Sequence, residues 1–447
     1  MLDSSVELQA TAPSARLVRT IGRWSLIALV VNSSIGGGIF GLPSSIAALT
    51  GRYSPLAALL AALCLSIIIA CFAEVSSRFE NAGGPYLYTR VAFGRAVSLQ
   101  TAWMLWLAQL AAQAANANLL IVYLGEFWPT ATSSLMRSLL LTVLIGLLAA
   151  VNFIGVKAGT RVNNILTVAK LLPLLALAAV GLILHPGHGQ GAIVASAIPS
   201  SAWLKAVLIL FFGLAGFESA LAPMSEAENP RRDAPIALGA AILLSTALYA
   251  SILWIVVSTL PHPESSSRPL ADVARVFAGS AGAALVSIGA VASVYGILSA
   301  KILAMPRLAF ALAEHGDLPR ILAAVHSRFQ TPYVSLLVWT FCLWGFALAG
   351  RFEWNLTLSA VARLFYFGAV CAALPVLRRK YSGQARLSIP AGPLFSTLSV
   401  IICLVLLTQV DLGQAMILWV TILLALANWL WARNKAPADF RTHDGTA

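Results

Sequence analysis

The sequence predicts an all-α membrane protein of about twelve spanning helices, and three observations predict it. Hydrophobic residues fill 59% of the 447 positions and charged residues only 10%, where a soluble domain of this size carries about a quarter charged residues. The apolar residues gather into long runs such as Ser54–Ala73, Leu135–Ala150, Leu166–Leu184 and Ser396–Leu407. Those runs do not alternate apolar with polar residues. A lipid-exposed barrel strand would alternate over about ten positions, so helices must satisfy the backbone.

Taken in order, the spans fall near 21–49, 54–78, 96–127, 135–155, 161–184, 201–224, 235–260, 280–310, 332–349, 355–377, 391–409 and 413–433. Each is close to the ~20 apolar residues that cross a bilayer core, the first, third and eighth running longer. The stretch to Thr20 is polar, lacks a short apolar core with a cleavage site, and is expected to be a cytoplasmic tail rather than a signal peptide.

A formal charge of +12 raises the question of a nucleic-acid partner. Its distribution answers otherwise. With a cytoplasmic N-terminus, about 20 Lys/Arg fall inside, about 6 outside and about 3 within spans. The inside set includes Arg16, Arg19, Arg23, Arg78, Arg90, Arg95, Lys157, Arg161, Arg378, Arg379 and Lys380; the outside set is Arg52, Arg137, Lys205, Arg268, Arg275 and Arg351. Both termini are therefore expected on the cytoplasmic side of a plasma (inner) membrane. The partners expected are the bilayer and a small-molecule substrate, not a nucleic acid.

Neither metal nor cofactor chemistry stands out. Cys64, Cys71, Cys342, Cys371 and Cys403 sit in apolar spans without C-x-x-C spacing and read as small core residues. The histidines lie in loops or the tail, and His185 with His188 has no thiol or carboxylate beside it. No His falls within a span and no H-E-x-x-H occurs, so an intramembrane enzyme is not expected. A channel would need a continuous polar pore, and no recurrent polar stripe runs through the spans.

Two spans are interrupted where a helix should be uniform. Span 1 contains Asn32-Ser-Ser-Ile-Gly-Gly-Gly-Ile-Phe40, and span 6 contains Phe211-Phe-Gly-Leu-Ala-Gly-Phe-Glu218. Each glycine costs a helix about 1 kcal/mol against alanine. The breaks stand five spans apart, an odd number, so the second set of five must run antiparallel to the first. This is the spacing of an inverted repeat with interrupted helices in matching positions: residues 21–185 and 195–377, with 391–433 as an appended helix pair and 434–447 as a cytoplasmic tail.

Unwound backbone at membrane depth must face protein or a wet cavity. The second half of span 1 begins near Gly37–Gly38 and offers N–H groups and a positive dipole end. The first half of span 6 ends near Phe212–Leu214 and offers carbonyls. A zwitterion suits that pair: carboxylate at one break, ammonium at the other. Of the intramembrane ionisable residues, Lys170 lies roughly 14 Å beyond Arg161 at 1.5 Å per residue, near the centre of the core, where an amine can take up and release a proton during a cycle. Glu218, just after the span-6 break, is the second candidate. Glu74, Lys301 and Arg363 fall nearer span ends and read as gates or anchors.

These residues resemble the amino-acid permeases of the amino acid–polyamine–organocation superfamily. Ile35-Gly-Gly-Gly-Ile-Phe40 is similar to the family's glycine-rich first-helix break. Glu74 with Ala82-Gly-Gly-Pro-Tyr-Leu-Tyr88 and Phe93-Gly94 is similar to its helix 2–3 signature. Gly216-Phe-Glu-Ser219 with Glu228-Asn-Pro-Arg-Arg-Asp-Ala-Pro-Ile236 resembles its helix-6 break and following loop, and Asn163-Asn164…Lys170 its proton-coupled fifth helix. The likeness runs from about Ile21 to Leu377. It implies the LeuT-type fold of five plus five inverted helices, with helices 1 and 6 broken and two helices added. It also implies that Lys170 stands where sodium-coupled relatives hold sodium, so that coupling to protons, or substrate exchange without an ion, is the expectation. Gly37 replaces the serine usual in the family. Phe212 matches an aromatic that shields the site in the related arginine/agmatine antiporter.

The expected function is secondary transport of amino acids by alternating access, as a proton symport independent of sodium. An amino-acid or polyamine exchanger, or a non-transporting sensor, is the alternative. The expected substrate-binding residues are Ser34, Ile35, Gly36, Gly37, Gly38, Phe212, Gly213 and Ala215, with Lys170 and Glu218 coupling the proton.

Overall fold

A computed structural model describes residues 22–79, 84–154, 172–183, 198–220, 230–381 and 387–433. Among them every regular element is helical. The first apolar run forms two helices rather than one, α1 (Arg23–Ser34) and α2 (Gly38–Thr50), separated by Ile35–Gly37. There follow α3 (Ser54–Ser76), a short α4 (Gly84–Phe93), the long α5 (Arg95–Leu124), α6 (Ser134–Ile154) and α7 (Leu172–Ile183). The second half begins with α8 (Ser200–Leu214), followed by a 3₁₀ turn at Phe217–Ala220, where the described residues of this segment end. It continues with α9 (Pro230–Thr259), α10 (Pro269–Glu314), α11 (Tyr333–Ala349) and α12 (Phe352–Lys380), and ends with α13 (Gly392–Leu407) and α14 (Leu412–Ala432).

Seven helical runs among the described residues are long and apolar enough to cross a bilayer, and α7, α8, α11 and α13 are shorter apolar helices. The chain is thus a multi-pass integral membrane protein, helical in every regular element of its described residues. Exposed apolar side chains recur at helical spacing on outer helices: Leu135, Leu139, Val143 and Leu147 on α6, and Leu412, Met416, Trp419 and Leu423 on α14. Such stripes would be a liability in water and are ordinary against lipid tails.

Two helices organise the packing. α9 lies against α1, α2, α3 and α8, while α5 packs against α10, α11, α12 and α14, and α12 bridges to α3 and α8. α10 is not uniform. Ala278 and Gly279 are non-helical, Gly279 at φ +61°, so the helix resumes at residue 280, where the apolar run begins. Two buried carboxylates pin helix ends. Glu74, fully buried, accepts from Arg78 (2.7 Å), Arg378 (2.8 and 2.6 Å) and the Ile389 N–H (2.9 Å), tying α3 to α12 and to the lead into α13. Its role as an anchor is the one its position near a span end suggests. Asp317, just after α10, accepts from Arg90 and Arg95, both at 2.7 Å, and from the Tyr86 hydroxyl.

α4 is the element the apolar pattern does not reveal. It is too short to span, and Gly84 (φ +56°) and Gly94 (φ +85°) turn the chain at either end. The Phe93-Gly94 pair is therefore a corner: Gly94 adopts a backbone that side chains disfavour, so α5 can start at Arg95.

Candidate functional site: a polar cavity between two broken helices

The α1–α2 break is short. Ile35 N–H still returns to the Val31 carbonyl (2.9 Å), after which the chain leaves the helix. Gly37 becomes the cap of α2, and its carbonyl accepts from Phe40 (3.1 Å) and Gly41 (3.3 Å). The N–H groups of Gly38 and Ile39 precede that first helical bond and have no acceptor within the helix. The Gly37 cap has no side chain to offer them.

α8 ends in the complementary way. Ala215 is extended (φ −73°, ψ 162°), its N–H bonded to the Phe211 carbonyl at 3.0 Å, and Gly216 has φ +136°. The last carbonyls of α8 therefore lack onward helical donors. One of them is already engaged, since the buried Tyr249 hydroxyl donates to the Gly213 carbonyl at 3.0 Å.

The two breaks touch. A Cβ on Gly38 would lie 2.9 Å from the Gly213 Cα, and one on Gly216 would run into the Ser33 carbonyl oxygen. Glycine at these positions permits backbone-to-backbone approach. Beside this crossing lies a cavity of about 390 Å³. Ser34, Gly36, Gly37, Gly38, Phe212, Gly213, Ala215 and Glu218 line it. Ile35 does not; its side chain is buried in the apolar core. Lys170 lies outside the described residues.

Glu218 is bound before any substrate arrives. Arg363 of α12 donates to its Oε1, the Tyr366 hydroxyl donates to the same oxygen at 3.1 Å, and the Gly216 N–H donates to Oε2 at 3.0 Å. The Arg363 and Glu218 side chains are 6% and 5% exposed, so this is a buried ion pair. Lys301 of α10 also lines the cavity. Arg363 and Lys301 are thus cavity residues rather than end anchors. Arg363 sits well inside α12, which extends past the apolar stretch at both ends.

The sequence reading also misses a wall. Gln109, Gln113 and Asn116 lie on α5 at i, i+4 and i+7, one face of a helix, and all three line the cavity with Ser293 of α10. One span does carry a polar stripe, correcting the expectation of none. The signal is in the sequence as three amides at helical spacing within the alanine-rich run Ala108–Ala117.

A helical membrane bundle holding a polar cavity at the crossing of two interrupted helices is the architecture of a small-molecule carrier. Comparison with known families gives the same class: the amino acid permease family model matches residues 21–431. The chain belongs to the amino acid permease family, within the amino acid–polyamine–organocation superfamily, and is a transporter rather than an enzyme. It is 28% identical to the methylthioribose transporter of Bacillus subtilis over 89% of each chain. It is 26% identical to the branched-chain amino acid permease of the same organism, over 95% of this chain and 93% of that one. Similarity to the mitochondrial cationic amino acid transporter 3 of Arabidopsis thaliana is 28% identity over 69% of this chain and 54% of that protein.

Proposed function

We propose that this protein is a secondary active transporter that moves amino acids across the plasma membrane by alternating access, coupled to protons and independent of sodium. The observation that carries the reading is the opposed polarity at the cavity. Gly36–Gly38, at the uncapped start of α2, line it from one broken helix, and Phe212, Gly213 and Ala215, at the end of α8, line it from the other. A carboxylate at the first and an ammonium at the second would complete both helix ends. Ser34 and the Gly36–Gly38 backbone hold the carboxylate, the Phe212–Ala215 carbonyls hold the amine, and Phe212 covers the site.

The wider arrangement in this reading is LeuT-type. The α1–α2 pair with α3, α5, α6 and α7 forms one five-span repeat, and α8 through α12 forms the inverted one. α13 and α14 are appended, with both termini cytoplasmic, a placement the Lys/Arg distribution supports. Lys170 takes up and releases the coupling proton, and Glu218 tunes that step through its pair with Arg363.

Polyamines fit less well. The acid at the cavity, Glu218, is already held by Arg363 and Tyr366, while Lys301 adds a second positive group. A relative named for methylthioribose extends the chemistry to small polar solutes. The test is uptake by purified protein in proteoliposomes, using a radiolabelled panel of amino acids with methylthioribose, with and without a pH gradient and sodium. Counterflow against internal unlabelled substrate separates symport from exchange. The expected result is proton-stimulated amino-acid uptake indifferent to sodium; uptake of methylthioribose with no amino acid moved would overturn the reading.

A further inference from the structure

The amino-acid reading leaves the cargo's side chain open, and the α5–α10 wall narrows it. We propose that the protein selects amino acids with short, uncharged side chains that donate hydrogen bonds, the serine, threonine and asparagine class, and that Asn116 and Ser293 recognise the side chain. The proposal rests on the amino-acid reading above.

Two buried polar atoms on this wall have no partner among the described residues. Asn116 is 4% exposed and Ser293 2%, yet Asn116 Oδ1 and Ser293 Oγ make no hydrogen bond there, and both residues line the cavity. Buried polar atoms are nearly always bonded, and a specific exception asks for a physical reason. The orientation of the Asn116 amide is fixed, because its Nδ2 donates to Gln113 Oε1 at 3.2 Å. Its oxygen therefore faces Gly37, where an added Cβ would run into it. Ser293 lies one turn before Ile297, whose Cδ1 would stand 3.6 Å from a Cβ on Gly36. Asn116 Oδ1 thus flanks the Gly36–Gly38 segment that holds the carboxylate in the proposed pose, and Ser293 lines the same cavity. A side-chain group of the bound amino acid meets this wall.

The chemistry of the two atoms defines the class. Asn116 Oδ1 is an acceptor only, so it needs a donor, which a hydroxyl or amide supplies and a carboxylate does not. Ser293 Oγ can donate or accept, and completes the pairing of either group. An aliphatic side chain would displace water from both atoms and return nothing. A site built around such groups rejects the analogue that cannot bond them far more strongly than an apolar pocket rejects an extra methylene. A cationic side chain meets Lys301 and Arg363 on the same cavity, against one carboxylate already engaged by Arg363.

The experiment uses the full-length protein in proteoliposomes with radiolabelled serine, asparagine, alanine, leucine, lysine and glutamate. Wild type is expected to take up serine and asparagine with kcat/KM at least about tenfold above alanine and leucine. Asn116→Ala and the near-isosteric Ser293→Ala should each lower serine uptake at least about fivefold more than alanine uptake. Preference of the wild type for leucine, lysine or glutamate overturns this proposal and leaves the carrier reading standing. So does an equal loss of serine and alanine uptake in both variants, which would assign the two residues to the shared part of the substrate. Absence of uptake for all six overturns the amino-acid reading and this proposal together.

Discussion

Gly38 at the head of α2 and Gly213 near the end of α8 lie backbone against backbone, with room for a methyl group at neither. A Cβ on Gly38 would stand 2.9 Å from the Gly213 Cα and 3.0 Å from the Tyr249 hydroxyl; one on Gly213 would stand 2.7 Å from Leu42 Cδ1. The two helix ends with opposite polarity are therefore held at a fixed separation by direct contact. Gly38→Val or Gly213→Val should force them apart, an overpacking cost of about 1–3 kcal/mol. Uptake in proteoliposomes is expected to fall at least about tenfold, since about 1.4 kcal/mol is a factor of ten, while far-ultraviolet circular dichroism stays helical. Full uptake by both variants would show that the spacing of the breaks does not matter.

The Glu218–Arg363 pair yields a second prediction. Removing one partner of a buried pair leaves an uncompensated charge and costs roughly 3–5 kcal/mol, whereas replacing both can be close to neutral. Glu218→Gln and Arg363→Gln should each lower the thermal unfolding midpoint in detergent. The double variant should be more stable than the Arg363→Gln single, because Glu218 then carries no charge to strand. Additive destabilisation would deny the coupling that the geometry implies.

Lys170 carries the coupling assignment. Lys170→Ala is expected to abolish stimulation of uptake by an inward proton gradient while counterflow exchange persists. Uptake that keeps its full dependence on the gradient would remove Lys170 from the coupling step.

How much of this is legible in the sequence depends on the kind of signal. Gly36–Gly38, Gly213 and Gly216 announce the breaks, because glycines clustered inside an apolar span weaken the helix and suit close backbone approach, and α1, α2 and α8 end beside them. Several helix ends are also legible, since α3, α6 and α14 begin and end close to the limits of their apolar runs. What lies between two helices is less so. Arg363 and Lys301 read as end residues when depth is measured along one helix, whereas the cavity reaches them from the side. Gln109, Gln113 and Asn116 have the right spacing, but the surrounding alanines leave the rotation of α5 unspecified. Ile35 shows the converse: it lies inside the break, yet its side chain turns into the core.

Asp317 gives a prediction about the fold alone. It is fully buried and binds Arg90, Arg95 and Tyr86, while Arg95 also donates to the Ala432 and Gly316 carbonyls. α4, α5, α10 and α14 are joined there. Burial, and then the neighbouring carboxylate, holds the Tyr86 phenol well above its usual range, so it remains a donor at physiological pH. Asp317→Ala strands two arginines and should destabilise by about 3–5 kcal/mol, read as a lower unfolding midpoint in detergent. Asp317→Glu, which keeps the charge, should recover part of the loss. Equal midpoints for wild type and Asp317→Ala would mean that the cluster does not hold these helix ends together.

The last prediction concerns Gly37, where the resemblance to the family implies a serine. Introducing that serine tests whether Asn116 fills the space it would need. A Cβ on Gly37 would run into Asn116 Oδ1 and approach Leu119 Cδ2 to 3.2 Å. Asn116 is buried and tied to Gln113, so it cannot simply swing away. Gly37→Ser should therefore overpack the site by about 1–3 kcal/mol and lower both the unfolding midpoint and uptake. Shortening the opposing side chain creates the missing room, so Gly37→Ser combined with Asn116→Ala should recover the midpoint lost by the serine. Energetic coupling of contacting residues is typically about 0.5–3 kcal/mol, and a double-mutant cycle of unfolding midpoints measures it. Strict additivity would mean that Asn116 does not occupy the place of the absent serine.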